Sequence, residues 1–337
     1  MAQIVPPYLP VPPTGYGGIE AVAALLCDGL VARGHEVTLF ASPLSHTRAR
    51  LAPTFDEPPA PEAMGSAFID VVHIMRAYRR HAEFDIIHDH MALGAALGSF
   101  TGARIAHTLH GAADPDSVMV YRAIAGLVGF VAISDAQRAA FEPHVPILAT
   151  VSNAVNLDTY PFRESKEGFL LFLGRFSPEK GPHLAIDVAR KAGRQLFLAG
   201  KLVTADERAY FAEQVEPRLG PDARYLGEVD AQKKIELLCG ASALLFPIQW
   251  EEPFGLVMIE AAACGTPVLA FPRGAAKEVV VDGKTGFLVR DVGEMAEAVR
   301  DLGSIAPAVC RRHAEERYSP EAMVAGYEAA YLDLIER

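Results

Sequence analysis

The sequence predicts two α/β domains, each built on a parallel sheet covered by helices on both faces. Three observations point there. The chain has 337 residues, more than one hydrophobic core usually serves. Half of the residues are apolar, and they fall in short aliphatic or β-branched runs that alternate with stretches of helical periodicity. That rhythm runs twice, interrupted at residues 153–168, where Pro161 and mixed charges separate two apolar runs.

The elements follow in order. Ile4-Val5 opens a first strand. Residues 19–32 form a helix with Val22, Leu25, Leu26 and Leu30 on one stripe, and Gly34 stops it. Residues 36–41, 84–88, 104–109 and 129–133 continue the first set of strands, and the Pro- and Ala-rich residues 53–64 form a surface loop. The second set begins at 169–174 and continues through 196–200, 223–227, 243–247 and 267–271. In the last segment Met323, Tyr327, Tyr331, Leu334 and Ile335 share a helical stripe. The expected domains are residues 1–160 and 167–319, with 320–337 packing back on the first. Two such domains are expected to face a central cleft, lined by the C-terminal ends of the strands.

Composition narrows the function. A formal net charge of −11 gathers no phosphate backbone, so nucleic acid is not expected as a partner. No apolar run reaches the roughly 20 residues that span a bilayer. The start, Met1-Ala-Gln-Ile-Val-Pro-Pro, does not read as a signal peptide. Cys27, Cys239, Cys264 and Cys310 form no metal-like spacing; Cys27 and Cys264, in helical-looking apolar stretches, read as buried small hydrophobes, and the reducing cytoplasm is the expected compartment.

Three loops carry the chemistry. Pro12-Pro-Thr-Gly15-Tyr16-Gly17-Gly18 lies between the first strand and first helix, where glycines let backbone amides approach an anion. The motif is not GxGxxG, and residues 39–42 offer no acid for a ribose, which argues against a nicotinamide-type domain. Gly174-Arg175-Phe-Ser-Pro-Glu-Lys180-Gly181 places a guanidinium fork and a mobile ammonium after the first strand of the second domain, a pair suited to a diphosphate. Trp250-Glu251-Glu252-Pro-Phe254-Gly255-Leu256 leads into a helix that stops before Gly265 and has no side-chain cap. Glu260 sits one turn inside it among Val257, Met258, Ile259 and Ala261, and a carboxylate there needs a partner or a ligand.

The spacing Glu252-x7-Glu260, with PFG between and EAxAxGTPV after, resembles the retaining glycosyltransferases of family 4, which have the GT-B fold. The resemblance runs along nearly the whole chain. It includes the GYGG loop, His107-Thr-Leu-His110-Gly111, Ala132-Ile-Ser-Asp135, the GRFSPEKG loop and Asp282-Gly-Lys-Thr-Gly286. The family often has Asn-Gly-Val-Asp where this chain has Asn153-Ala-Val-Asn156. The resemblance implies roles. Gly17 and Gly18 approach the donor's phosphates, and His110 faces the donor sugar. Arg175 and Lys180 neutralise the diphosphate leaving group, and Glu252 stands beside the sugar. The amides of Phe254, Gly255 and Leu256 hold hydroxyls and phosphate. Glu260 binds the ribose, and residues 226–229, ending at Val229, contact the base. The expected reaction is transfer from a nucleotide-diphosphate sugar of UDP- or GDP-hexose type to a small-molecule, glycan or lipid acceptor. No metal or other cofactor is expected. Peripheral membrane contact is common in the family, although neither a strong basic amphipathic helix nor a lipid motif is visible in the sequence.

Two other functions use similar parts: a sugar-nucleotide 2-epimerase of GT-B-like fold, and a non-catalytic sugar-nucleotide-binding protein. Asp114-Pro-Asp116 is a DxD and reads as a chance match in a loop, not a metal site. His88-Asp-His90 and His107-Thr-Leu-His110 follow strand alternation and read as histidines lining a polar cleft. His46, His144 and His313 read as surface residues. Tyr16 and Trp250 are expected near the cleft, and Phe254 in the core.

Overall fold

The computed structural model describes residues 1–15 and 17–337, apart from the side chain of Pro61. The chain forms two compact units, Met1–Ala154 with Pro320–Arg337, and Val155–Ser319. It passes from one to the other twice.

In the first unit the strands are β1 (Ala2–Ile4), β2 (Thr38–Phe40), β3 (Arg50–Leu51), β4 (Ile87–Asp89), β5 (Ile105–Thr108), β6 (Gly129–Ala132) and β7 (Ile147–Thr150). Between them run α1 (Gly18–Ala32), α2 (Ala67–Tyr78), α3 (Ala92–Gly98), α4 (Pro115–Ala123) and α5 (Asp135–Phe141). The sheet order is β3-β2-β1-β4-β5-β6-β7, with every pairing parallel. Because side chains alternate across a sheet, the register sorts the two faces. Ala2, Ile4, Ile87 and Ile105 point into one apolar core with Phe130 and Phe141. Gln3 pairs with His88, and His88 with Ala106, so Gln3, His88 and Thr108 share the opposite face.

In the second unit the strands are β8 (Leu170–Leu173), β9 (Leu196–Ala199), β10 (Ala223–Tyr225), β11 (Ala243–Phe246), β12 (Val268–Ala270) and β13 (Gly286–Leu288). The helices are α6 (Pro182–Ala192), α7 (Ala205–Tyr210), α8 (Ala231–Gly240), α9 (Leu256–Ala263), α10 (Ala276–Val279), α11 (Val292–Ala298) and α12 (Pro307–Arg317). The order is β10-β9-β8-β11-β12-β13, again wholly parallel. Buried Leu170, Phe172, Phe176, Ile186 and Leu245 anchor its core.

The last helix, α13 (Pro320–Glu336), belongs to the first unit. It packs on α1, where Gly29 faces Val324 so closely that a Cβ would strike that side chain. Tyr327 and Tyr331 are buried on its inner face.

In each sheet the direction of winding reverses once, between β1 and β4 and between β8 and β11. Loops leaving the C-terminal ends of two such strands diverge to opposite faces and leave a crevice, the usual ligand position in an open parallel sheet. All three loops singled out in the sequence leave from these strands. Among the described residues no helix is long and apolar enough to cross a membrane.

Candidate functional site

In the second unit, β8 runs into the Arg175–Lys180 loop and β11 into the Trp250–Glu252 loop. The amide of Gln249 donates to the Glu179 carbonyl at 2.7 Å and ties the two loops together. Gly181 has φ +69°, and a Cβ there would strike the Pro247 carbonyl, so the loops can close only on glycine. At the meeting point the Lys180 ammonium lies 2.5 Å from Glu252 Oε2, with side-chain exposures of 17% and 9%. Trp250 Nε1–H donates to the same carboxylate oxygen at 2.9 Å, and the ammonium sits 4.9 Å from the indole centroid. One charged pair is thus held by a hydrogen bond and a cation–π contact together.

The support behind Glu252 is backbone. Its carbonyl accepts from the Ala275 amide at 2.9 Å, and Glu251 Oε2 accepts from the Gly274 amide at 2.6 Å. Gly274 has φ +54° and leaves no room for a Cβ against the Glu252 main chain. Glu251 and Glu252 therefore divide the work: the exposed one fixes the loop, and the buried one faces Lys180.

Arg175 lies between two carboxylates, with Nη1 and Nη2 each 3.3 Å from Glu207 and Glu179 respectively. Glu207 is itself fixed, because it forms a capping box with Thr204 at the start of α7. Ser177, in the same loop, is buried with its hydroxyl unpartnered. Helices α6 and α9 both begin at a left-handed glycine, Gly181 and Gly255, with no side-chain cap; α6 opens on Pro182, which has no N–H, whereas α9 opens on Leu256, whose amide no side chain caps. Within α9, Glu260 Oε1 accepts from the Tyr160 hydroxyl at 2.7 Å and meets the Lys234 ammonium at 2.6 Å.

In the first unit the corresponding position is neutral. His90 Nδ1 lies 2.9 Å from His110 Nε2, and His90 Nε2 lies 3.1 Å from Gln3 Oε1. Gln3 donates to the Tyr331 hydroxyl at 3.1 Å, which lies 2.7 Å from His88 Nδ1. His88 Nε2 lies 2.7 Å from Thr108 Oγ1, and that hydroxyl meets Tyr327 at 2.8 Å. His107 faces the other side of the sheet, against Tyr121 and the Asp89 carbonyl. Burial pushes the imidazoles down, His107 to about 4 and His110 to about 3. Gly17, with φ +150°, and Gly18 open α1, which also lacks a side-chain cap.

Residues 16–159 match the family described as Glycosyltransferase Family 4, and residues 160–314 match the one described as Glycosyl transferases group 1. Over 99% of its length the chain is 30% identical to AviGT4, a glycosyltransferase involved in avilamycin A biosynthesis; it covers 97% of that structure with a TM-score of 0.79. The chain belongs to glycosyltransferase family 4. Over 300 residues this glycosyltransferase is 26% identical to the phosphatidyl-myo-inositol mannosyltransferase of Mycobacterium tuberculosis, a match covering 81% of this chain and 79% of that one. A match to glycogen synthase of the same species, 33% identical over 184 residues, covers 51% of this chain and spans less than half of that protein, 44%. The sucrose-phosphate synthase structure of Thermosynechococcus elongatus superposes with a TM-score of 0.81 at 21% identity, covering 99% of both chains. These likenesses establish the GT-B fold for both parallel-sheet units.

The structure of the glycosyltransferase groups Arg175, Lys180, Glu252, Phe254, Gly255, Leu256 and Glu260 around the β8 and β11 loops, while Val229 follows β10. Gly17, Gly18 and His110 lie in the first unit. Several expectations change. Asp114 stands just before α4 and has a role the DxD reading did not give it: it caps that helix, accepting from the amides of Asp116 and Ser117. His88, His90 and His107 do not line an open cleft but are buried. Among the described residues no group of three His, Cys, Asp or Glu is placed to hold a metal. His313 is half-buried against the Val279 carbonyl, whereas His46 and His144 are exposed. Residues 53–64 are not wholly superficial, since Thr54 is buried against His73. Phe254 packs edge-on against Tyr318. Tyr16 lies outside the described residues.

The sequence reading missed Tyr160, Lys234 and Gln3. Tyr160 falls at the domain junction and Lys234 in a generic charged helix. Gln3 has a signal, a polar side chain inside an otherwise apolar first strand.

Proposed function

We propose that this glycosyltransferase moves a hexose from a nucleotide-diphosphate sugar to an acceptor, with retention at the anomeric carbon and without a metal. The Lys180–Glu252 pair carries the reading. A buried ion pair costs desolvation that its attraction barely repays, so it is weak as a stability device and natural as a ligand-exchange device. An arriving diphosphate offers Lys180 two negative charges in place of one and frees Glu252 to accept from sugar hydroxyls. As the anomeric C–O bond breaks, charge grows on the leaving diphosphate, and the fixed positive groups nearby stabilise it. Those groups are Arg175, Lys180 and the uncapped amides of Phe254, Gly255 and Leu256. The unpartnered Ser177 hydroxyl and the glycines Gly17 and Gly18 are further groups a phosphate would satisfy. In this reading a phosphate oxygen takes the acceptor's proton, Glu260 holds the ribose, and residues up to Val229 meet the base. His110 stabilises the reacting sugar.

The relatives support the donor class. One is named as a mannosyltransferase, and the structural neighbour HepE from Anabaena, 19% identical, has been solved in complex with UDP-glucose. Four buried free thiols support a cytoplasmic setting.

Trp250 is the only tryptophan of the chain and touches both members of the pair. Titration with UDP, GDP and their hexose conjugates is expected to change its fluorescence, with the binding lost in the Arg175→Ala, Lys180→Ala double variant. A panel in which no nucleotide or nucleotide sugar changes the fluorescence or raises the melting temperature overturns the reading. Conversion of the nucleotide sugar without any acceptor would instead identify an epimerase.

A further inference from the structure

The histidine–glutamine column of the first unit has a direction, and it ends on His110. Gln3 Oε1 can only accept, so the proton between it and His90 sits on His90 Nε2. A neutral imidazole carries one proton, so His90 Nδ1 is a bare acceptor. Its partner at 2.9 Å is His110 Nε2, which must then carry the proton and donate. By the same count His110 Nδ1 is left without one. The other branch agrees. Gln3 Nε2 donates to Tyr331, Tyr331 donates to His88 Nδ1, and His88 Nε2–H donates to Thr108. Every one of these side chains is buried except His110, which is partly exposed. The surroundings favour neutral rings. His88 lies tilted against His90 with centroids 4.0 Å apart, and Tyr327 and Tyr331 close the far side. The one carboxyl on β4, Asp89, points to the other face, where it accepts from Tyr78 and the Met91 amide.

We propose that Gln3 and His90 are positioning residues that fix His110 as the neutral Nε2–H tautomer, with Nδ1 presented as a hydrogen-bond acceptor. Under the proposed function, on which this role in catalysis rests, His110 then accepts from a sugar hydroxyl and does not donate to a phosphate. The pairing of β1 with β4 sets the geometry: Gln3 stands beside His88, and the His90 amide donates to the Ile4 carbonyl at 2.9 Å. The direction of an entire hydrogen-bonded column is therefore chosen by the orientation of one amide in the first strand.

The test reads the tautomer directly. In the full-length protein with 15N-labelled histidine, long-range 1H–15N spectra without substrate should show His110 with a pyrrole-type Nε2 and a pyridine-type Nδ1, assigned by its loss in His110→Gln. Gln3→Leu removes the acceptor that orients His90 and should turn His110 into a mixture of tautomers. With it, kcat should fall about tenfold while donor KM changes less than twofold, the effect of misdirecting one hydrogen bond. A wild-type His110 protonated on Nδ1 overturns the proposal without any variant. An unchanged His110 spectrum in a folded Gln3→Leu protein also overturns it. Absence of glycosyl transfer with the Nε2–H tautomer present would overturn the proposed function and leave the column's direction standing.

Discussion

The two switch points of this glycosyltransferase sit at the same place in two similar sheets and are furnished in opposite ways. In the second unit the loops after β8 and β11 bring together Arg175, Lys180, Glu179 and Glu252, and α7 adds Glu207, so that each cation already has a carboxylate. In the first unit, β1, β4 and β5 supply Gln3, His88, His90, Thr108 and His110, joined by neutral hydrogen bonds. The difference follows from what each could meet. Charged pairs at partial burial can be exchanged for a charged ligand at modest cost, because the ligand replaces the interaction it breaks. A buried neutral column cannot be exchanged but can be directional, since each member both donates and accepts. Under the proposed function, one region binds charge and the other orients a single ring.

The largest predicted effect breaks this contrast by removing one member from each side. Glu252→Gln keeps the shape but leaves the Lys180 ammonium half-buried beside a neutral amide. It should lower kcat/KM about a thousandfold, in the range of losing a transition-state electrostatic contact. His110→Gln keeps an acceptor and should cost about tenfold to a hundredfold, expressed in kcat. Steady-state kinetics on both variants, with folding checked by thermal melts, compares them. If His110→Gln proves the more damaging, the division of labour between the units is reversed.

The comparison also shows which features were legible. The parallel-sheet rhythm was, because buried strands such as 170–173 and 243–246 are continuous apolar runs that polar surface segments never imitate. The uncapped start of α9 was legible from the missing Ser, Thr, Asn or Asp before Leu256. Glu260 announced a partner through its apolar neighbours, but the partner's identity did not follow, because Tyr160 lies 100 residues away and Lys234 on another helix. The histidines were visible as residues and misread as environment. Periodicity assigns a face to His88 and His90, but only α13, folded against that face with Tyr327 and Tyr331, makes it an interior. The capping role of Asp114 was missed for a local reason: with Pro115 next, its carboxylate is placed to cap a helix, and the DxD match concealed an N-cap.

The second prediction separates the units by pH. In the unfolded chain a histidine takes a proton near pH 6.5, whereas folded His107 and His110 resist to about 4 and about 3, and His88 and His90 are also held well down by burial. Below pH 6.5 the unfolded chain binds more protons, so stability falls as pH drops towards the folded values. Asp89 opposes this. Burial raises it to about 7, so the folded state takes its proton first and gains stability as pH falls from 7 towards the ordinary carboxylate range. At pH 5 His107 and His110 each cost about 2 kcal/mol and Asp89 returns about 2–3 kcal/mol, while His88 and His90 act in the same direction as the other two, so the first unit is left with a net loss. Hydrogen exchange, corrected for intrinsic rates, should show protection falling between pH 7 and pH 5 in peptides covering 84–111 and holding in 243–263. Equal loss in both would show that the neutral column is not the acid-sensitive part.

The smallest effect sharpens the charged side. Glu260 has two partners, a tyrosine hydroxyl and an ammonium, and only the ammonium contributes charge. Tyr160→Phe deletes a neutral donor while Lys234 still satisfies the carboxylate, so the loss should be about 1 kcal/mol, a threefold to tenfold weaker grip on a nucleoside diphosphate. Lys234→Met removes the charge and leaves Tyr160 holding a carboxylate that burial penalises. The order of the two variants tests whether the second unit works by charge or by hydrogen-bond geometry. Calorimetric titration of UDP and GDP into each gives that order, since both nucleotides carry the ribose proposed for Glu260. If Tyr160→Phe is the more costly, Glu260 is held by geometry, and the second unit resembles the first more than its charges imply.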